Sequence, residues 1–302
     1  MYAIGVDIGG TKVAIAVVDE TGKVLIEEVI PTDKTVDPPV MIERINKTAE
    51  ELMNKSGIEK KVVKGIGIGS PGPLDSKNGI ITYPPNLENW RNVPIVEQVK
   101  SYFNLPVTLE NDANAAAMAE KWLGAAKENE DFAYITISTG IGAGFFAEGK
   151  LLGGSRGNAG DIGHTVIDPS YGQCPCGQYG CLEYIASGTG IARRGSELAG
   201  EELATQQVFE RYHNGDNKIK PYIEDVFRII GVACVSVINT LDPEKIVIGG
   251  GVSKVGAPLF NAVKDYVRQY ALNPDGRKTE IVQAQLDQNA GVIGAAALCF
   301  NE

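Results

Sequence analysis

A chain of 302 residues is long enough for two ordinary domains or one large one, and its 43% hydrophobic content suits a soluble globular protein. A net charge of −10 excludes the positive surface that non-specific nucleic-acid or anionic-membrane binding needs, so neither is expected as a partner. Met1 leads straight into a strand-like run with no leader pattern. No apolar run reaches membrane-spanning length, and five cysteines, three of them clustered, suit a reducing cytoplasm.

Residues 2–9 read as a buried strand, followed by Gly9-Gly10-Thr11, a strand over 12–19, a Thr21-Gly22 turn and a third strand over 23–30. Backbone N–H groups of a Gly-rich turn can converge as an anion-binding nest, with a hydroxyl from Thr11 and a charge from Lys12. Asp7 is placed to hold a magnesium ion through water. An ordinary hairpin competes with this reading. Residues 133–152 repeat the plan around Thr139-Gly140-Ile141-Gly142, so VDIGGTKVAIAVVDETGKVL resembles ISTGIGAGFFAEGKLL about 130 residues later. A duplicated domain with two phosphate loops explains this better than two unrelated hairpins. A Walker-type loop and a dinucleotide fingerprint are both absent.

Residues 37–55 carry apolar side chains at helical spacing, and Gly57 ends that helix. A strand over 62–68 runs into Ser70-Pro71-Gly72-Pro73, and 79–90 reads as strand then loop, where Asn86 offers an amide and Trp90 packs. A helix over 93–103 and a strand over 106–109 lead to Glu110-Asn111-Asp112-Ala113-Asn114 and a helix to Trp122. Asp112 at that corner is either an N-cap or a general base opening into a cleft. Helices over 204–213 and 221–240 precede a strand over 245–248, then Gly249-Gly250-Gly251, where backbone can approach a flat ligand closely. A strand over 279–282 and a terminal Ala/Gly-rich helix over 289–300 follow. Cys234 and Cys299 read as core thiols, and His213 as a surface residue.

The stretch Gly153–Glu183 holds His164 and the pattern Cys174-x-Cys176-x4-Cys181. One imidazole and three thiols satisfy the tetrahedral preference of zinc, and a closed four-ligand site is structural. A disulfide and buried free thiols are the competing readings. A bound metal would fix Asp161, His164 and Glu183, which lie on or beside this loop.

The motifs DIGGTK (7–12), SPGPLD (70–75), ENDANAAA (110–117), ISTGIGAG (137–144), GNAGDIGH (157–164), CPCGQYGCLE (174–183) and IVIGGGVS (246–253) together resemble the ROK family, and within it the bacterial ATP-dependent glucokinases. The resemblance covers essentially the whole chain. It implies an α/β fold of two actin-like (ribonuclease H-like) domains around a deep cleft. The expected small domain is 1–115 plus 289–302, and the large domain is 116–288 with a zinc loop at 164–181. ATP-magnesium is implied at Asp7, Gly9, Gly10, Thr11, Lys12, Thr139 and Gly140, with the nucleoside near Gly249, Gly250 and Gly251. A hexose is implied at Asn111, Asp112, Asp161, His164 and Glu183. Asp112 matches the catalytic base, and His164, Cys174, Cys176 and Cys181 match the zinc ligands. Family members are often dimers or tetramers, so a homo-oligomer is expected.

One departure bears on the substrate. The family usually has Glu-x-x-His where this chain has Asp161-Ile162-Gly163-His164. Losing a methylene pulls the carboxylate back by about 1.5 Å. That leaves mannose, fructose or an amino sugar open beside glucose. The rival classes are a DNA-binding repressor and a non-catalytic sugar sensor. The charge and the early position of Asp7 disfavour the first; the intact Asp112 and both Gly turns disfavour the second.

Overall fold

The computed structural model describes residues 1–286 and 290–300; positions 289, 301 and 302 of the expected small domain lie outside them. The chain folds as two compact units. Residues 1–127, 151–159 and 285–302 form the first, and 128–150 and 160–284 the second. All of residues 116–127 thus stay with the first sheet.

In the first unit, β1 (Tyr2–Ile8), β2 (Lys12–Asp19) and β3 (Val24–Pro31) form an antiparallel meander. β1 and β2 are apolar on both faces and almost wholly buried, whereas β3 alternates buried and exposed, the period of a half-covered edge strand. Helix α1 (Pro38–Ser56) opens on two prolines and stops where Gly57 takes the left-handed conformation at φ 68°. β4 (Val63–Ser70) joins β1 in parallel; a short hairpin follows, β5 (Leu74–Asp75) with β6 (Ile80–Ile81). Helix α2 (Ile95–Phe103), β7 (Val107–Asn111) and α3 (Asp112–Leu123) complete the run, giving the sheet order β3-β2-β1-β4-β7.

The first core joins Ile4, Val6, Ile15 and Ile66 of the sheet to Met41, Ile45 and Leu52 of α1 and to Trp90, all nearly inaccessible. Burying each such side chain contributes about 1.5–3 kcal/mol. The opposite face carries the helix Ala290–Ala297, packed through Val292 and Ala296 onto Ala3, Ala14, Ala16 and Val18. Close approach there depends on missing side chains. A Cβ on Gly5 would collide with the Val292 carbonyl, and one on Gly67 with that of Ala295. Gly67→Ala, which makes the closer of these two collisions, is expected to lift this helix off the sheet.

In the second unit, β8 (Phe132–Ile137), β9 (Ile141–Ala147) and β10 (Lys150–Leu151) repeat the opening meander. Helices α4 (Leu182–Ala186), α5 (Gly188–Ala199), α6 (Thr205–His213) and α7 (Ile219–Leu241) follow. Then β11 (Lys245–Gly249), α8 (Ala257–Tyr270) and β12 (Glu280–Gln283) complete the order β10-β9-β8-β11-β12. β11 lies parallel to both β8 and β12, as β4 does to β1 and β7. The internal repeat therefore holds for strand order and direction, beyond the two Gly turns. Cys234 is buried on α7, while Cys299 lies past its helix and is only partly covered. Helices α4 and α8 were not read from the sequence. Among the described residues no helix is long and apolar enough to cross a membrane.

Candidate functional site

In the first unit β7 ends directly in α3, so Asn111 is the N-cap and Asp112 the first helical residue. The sequence left Asp112 as either cap or base. The Asn111 carboxamide takes the capping role, accepting from Ala113 N–H at 2.9 Å; Asp112 Oδ1 shares that donor at 2.8 Å. Asp112 is exposed. The first turn of a helix is an electrostatically favourable place for a negative charge. Beneath the corner lies Glu110, buried, whose Oε1 accepts from Asn111 N–H at 2.8 Å and Asn114 Nδ2 at 2.9 Å. Burial pushes the Glu110 carboxyl above the usual carboxylate range, against the pull of those two hydrogen bonds. Sequence reading passed over Glu110 and Asn114; only their place inside ENDAN marked them.

The turn between β1 and β2 is closed by Gly9 N–H donating to Lys12 O at 2.9 Å and braced by the Thr32 hydroxyl on Gly9 O at 2.7 Å. The Gly9 N–H is therefore spent on the turn, leaving those of Gly10 and Thr11 for a ligand. Asp7 sits half-buried at the end of β1, where burial raises its pKa and the Lys12 charge opposes the rise. Helix Ala290–Ala297 passes so close that a Cβ on Gly291 would strike its carboxylate. Asn86 is exposed and lies against Gly10: a Cβ there would sit 3.1 Å from Asn86 Cβ. The structure thus puts Asn86 next to the first Gly turn.

In the second unit the matching turn follows β8. Ser138 N–H closes it on Gly140 O at 2.9 Å. Three contacts from α4 and α5 then hold it: Ile141 N–H on Glu183 Oε2 at 2.8 Å, Gly188 N–H on Ser138 O at 2.7 Å, and the Thr189 hydroxyl on Thr139 O at 2.9 Å. Gly140 admits the Glu183 carboxylate, which any Cβ there would displace. The glycine run after β11 packs on the same place. Gly250 adopts φ 83° and abuts the Ile137 backbone, Gly249 abuts Tyr134, and Gly251 faces open space. Thr139, Gly140, Glu183 and the three glycines are thereby brought together, while Asp161 is exposed beside β9, linked through Gly160 O to Ala143 N–H at 2.9 Å. Burial raises the Asp161 pKa, opposed by His164.

His164, Cys174, Cys176 and Cys181 converge, with all four ligand atoms within 4.8 Å of one another. Cys174 Sγ lies 3.9 Å from His164 Nδ1, and Cys176 Sγ lies 3.6 Å from Cys181 Sγ. A tetrahedral zinc site with Zn–S near 2.3 Å has S–S edges of about 3.8 Å, so these spacings fit. Burial pushes the Cys181 thiol up to about 12 and also raises that of Cys174, whereas the Gln178 backbone N–H lowers exposed Cys176 to about 7. Buried thiols ionise only beside a cation, so this donor set suits a divalent ion. With Nδ1 on the metal, the second ring nitrogen of His164 keeps its proton as a donor.

Comparisons with known proteins agree over the whole chain. The ROK family model matches residues 3–302. The glucokinase of Halalkalibacterium halodurans is 35% identical over 312 aligned positions, spanning 98% of this chain and 94% of its own. An N-acetylmannosamine kinase of Escherichia fergusonii is 33% identical, covering 100% of this chain and 99% of its own. A xylose repressor of Caldicellulosiruptor bescii is 29% identical, but this chain spans only 78% of it. The crystal structure of a ROK family glucokinase from Streptomyces griseus, in complex with glucose and AMPPNP, superposes with a TM-score of 0.81 at 30% identity over the full length of both chains.

Proposed function

The chain belongs to the ROK family, and on that premise we propose that it transfers the γ-phosphoryl group of ATP to a hexose, glucose first. The observation that carries this reading is Asp112, exposed at the start of α3 with Asn111 taking the cap beside it. Asp112 accepts the proton of the attacking sugar hydroxyl as that oxygen bonds to the γ-phosphorus. The bond to the bridging oxygen breaks, and ADP leaves with the electron pair.

The transition state is loose, so positioning and charge neutralisation do most of the work. Asn86, Asn111, Asp161, His164 and Glu183 orient the sugar. Glu183 has Oε2 on Ile141 N–H, leaving Oε1 for a sugar hydroxyl. The N–H groups of Gly10, Thr11, Thr139 and Gly140, with Lys12, receive the phosphates, and Gly249–Gly251 the nucleoside. Magnesium, held through Asp7, would neutralise phosphate oxygens. Zinc on His164, Cys174, Cys176 and Cys181 would hold the loop's shape.

A kinase for an amino sugar is the second reading. It is favoured by the shorter carboxylate of Asp161 and by the likeness to an N-acetylmannosamine kinase. A cytoplasmic dimer or tetramer belongs to the same proposal, with light scattering as its check. The deciding experiment is ADP release with ATP-magnesium across glucose, mannose, fructose, glucosamine and N-acetylmannosamine, with Asp112→Ala as blank. Turnover on glucose, lost by about 10³-fold in the variant, is the expected result. Turnover confined to another hexose replaces glucose; none on any sugar, with the fold intact, removes the kinase reading.

A further inference from the structure

The second unit contains a cavity of about 330 Å³ that none of the residues above uses. Its walls include Ser170, Tyr171, Tyr184, Arg193, Arg194 and Tyr222. The charges around it do not cancel. Arg194 is paired with Glu197 at 2.7 Å. Asp225, below the rim, is taken by the Tyr171 hydroxyl and by Arg228 Nε at 2.8 Å. Arg193 has no carboxylate within ion-pair distance among the described residues. Its guanidinium lies 3.4 Å from the centroid of the Tyr184 ring, and one N–H donates to Tyr184 O at 2.9 Å. A guanidinium carries five N–H donors, so most of its capacity is open. The aromatic face fixes the plane of the group and so pre-orients the remaining donors.

The hydroxyls nearby are donors as well. Tyr222 reaches Gly190 O only at a loose 3.5 Å, whereas the Ser170 side chain is engaged by Asp168, whose carboxyl it holds below the usual range. Burial raises the pKa of Tyr222 and takes Tyr171 to about 12, so both phenols stay protonated at neutral pH. A cavity supplying the Arg193 cation and the Tyr222 hydroxyl, with its nearby carboxylates already engaged, selects a ligand rich in acceptors and negative charge. Its volume falls in the range of small-molecule pockets, room for an anionic group plus a ring.

We propose that this cavity is a second ligand site that takes a phosphate dianion, free or esterified to a ring of hexose size, on Arg193 with the Tyr222 hydroxyl. A forked guanidinium is well matched to phosphate oxygens. The site also touches the rest of the unit in a useful place. Ser170 and Tyr171 belong to the loop between His164 and Cys174, and Tyr184 follows Glu183 on α4. Occupancy therefore bears on the loop that carries the metal-ligand cluster. The site does not depend on the proposed catalysis and can be read by binding alone.

The test is calorimetric titration of the full chain with hexose 6-phosphate and, separately, with inorganic phosphate. Both are run with saturating hexose and a non-hydrolysable ATP analogue, so that the candidate catalytic site is occupied. Binding in either arm that weakens at least about tenfold in Arg193→Gln, and less in Arg193→Lys, supports the site. The arm that binds tighter names the source of the phosphate. No binding in either arm, or binding unchanged by Arg193→Gln, overturns it. Should Arg193→Gln fail to fold, Tyr222→Phe removes a single oxygen; it must weaken binding by about threefold, and unchanged binding there also overturns the site.

Discussion

The Asp112 corner and the Thr139–Ile141 turn are held in opposite ways. At the corner the side-chain hydrogen bonds of Glu110, Asn111 and Asn114 are local: the three fall within five consecutive residues and bond to one another and to the Ala113 N–H, on a strand end paired to β4. The turn is held from far along the chain. Glu183 is 42 residues from Ile141, and Thr189 is 50 from Thr139. All three long-range braces follow directly on Cys181, the last member of the cysteine motif. The second Gly turn therefore inherits its shape from the segment that the metal-ligand cluster anchors, whereas the side chains of the corner brace one another.

The largest test of that difference is Cys181→Ser. It removes a fully buried ligand from the cluster, and loss of a metal site is among the few single changes with large effects. The expected result is loss of zinc by elemental analysis and a Tm lower by roughly 6–12 °C, about 3 kcal/mol. KM for ATP should rise with KM for sugar, because both Glu183 contacts depend on where α4 begins. A metal-free variant with unchanged ATP KM would uncouple the turn from the cluster. A gentler version is Thr189→Val, which deletes one hydroxyl donor from Thr139 O at a cost of about 1 kcal/mol. ATP KM should rise about fivefold, sugar KM should hold, and Thr189→Ser should restore it; equal KM values for Val and Ser would show that the hydroxyl does not position the turn.

This contrast also explains what the sequence disclosed. The meanders, α1, the ENDAN corner and the cysteine cluster were legible because their signals are periodic or close together. The helix over 257–270 was legible in principle, since Leu259, Phe260, Val263 and Val267 form a buried stripe at helical spacing, but it was overshadowed by the glycine run before it. Other features had no local trace. Nothing near Gly5 or Gly67 announces that a helix some 230 to 290 residues later packs backbone to backbone upon them. Asn86 offers an amide by its type alone, and its closeness to Gly10 is a tertiary fact. Nothing in the sequence around Arg193 marks it; the folded unit stacks it on Tyr184 with no carboxylate within ion-pair distance among the described residues.

The smallest expected effect probes the corner. Burial raises the Glu110 pKa above the usual carboxylate range, so the folded state holds that proton more tightly than the unfolded chain. Its contribution to stability is then fully present in acid, below the unfolded pKa, and is lost as pH rises through the folded pKa. Glu110→Gln keeps an oxygen for Asn111 N–H and Asn114 Nδ2 and cannot ionise. It also brings an N–H2 group to a neighbourhood where Asn114 Oδ1 is buried without a partner. The Tm of the variant relative to the parent should therefore be near zero at about pH 4 and grow more positive toward about pH 8. Because the Glu110 carboxyl bonds only to Asn111 and Asn114, ATP KM should not move. A Tm difference that is flat with pH would show that Glu110 does not titrate differently in the folded state. A shifted ATP KM would show that the corner and the turn are not held independently.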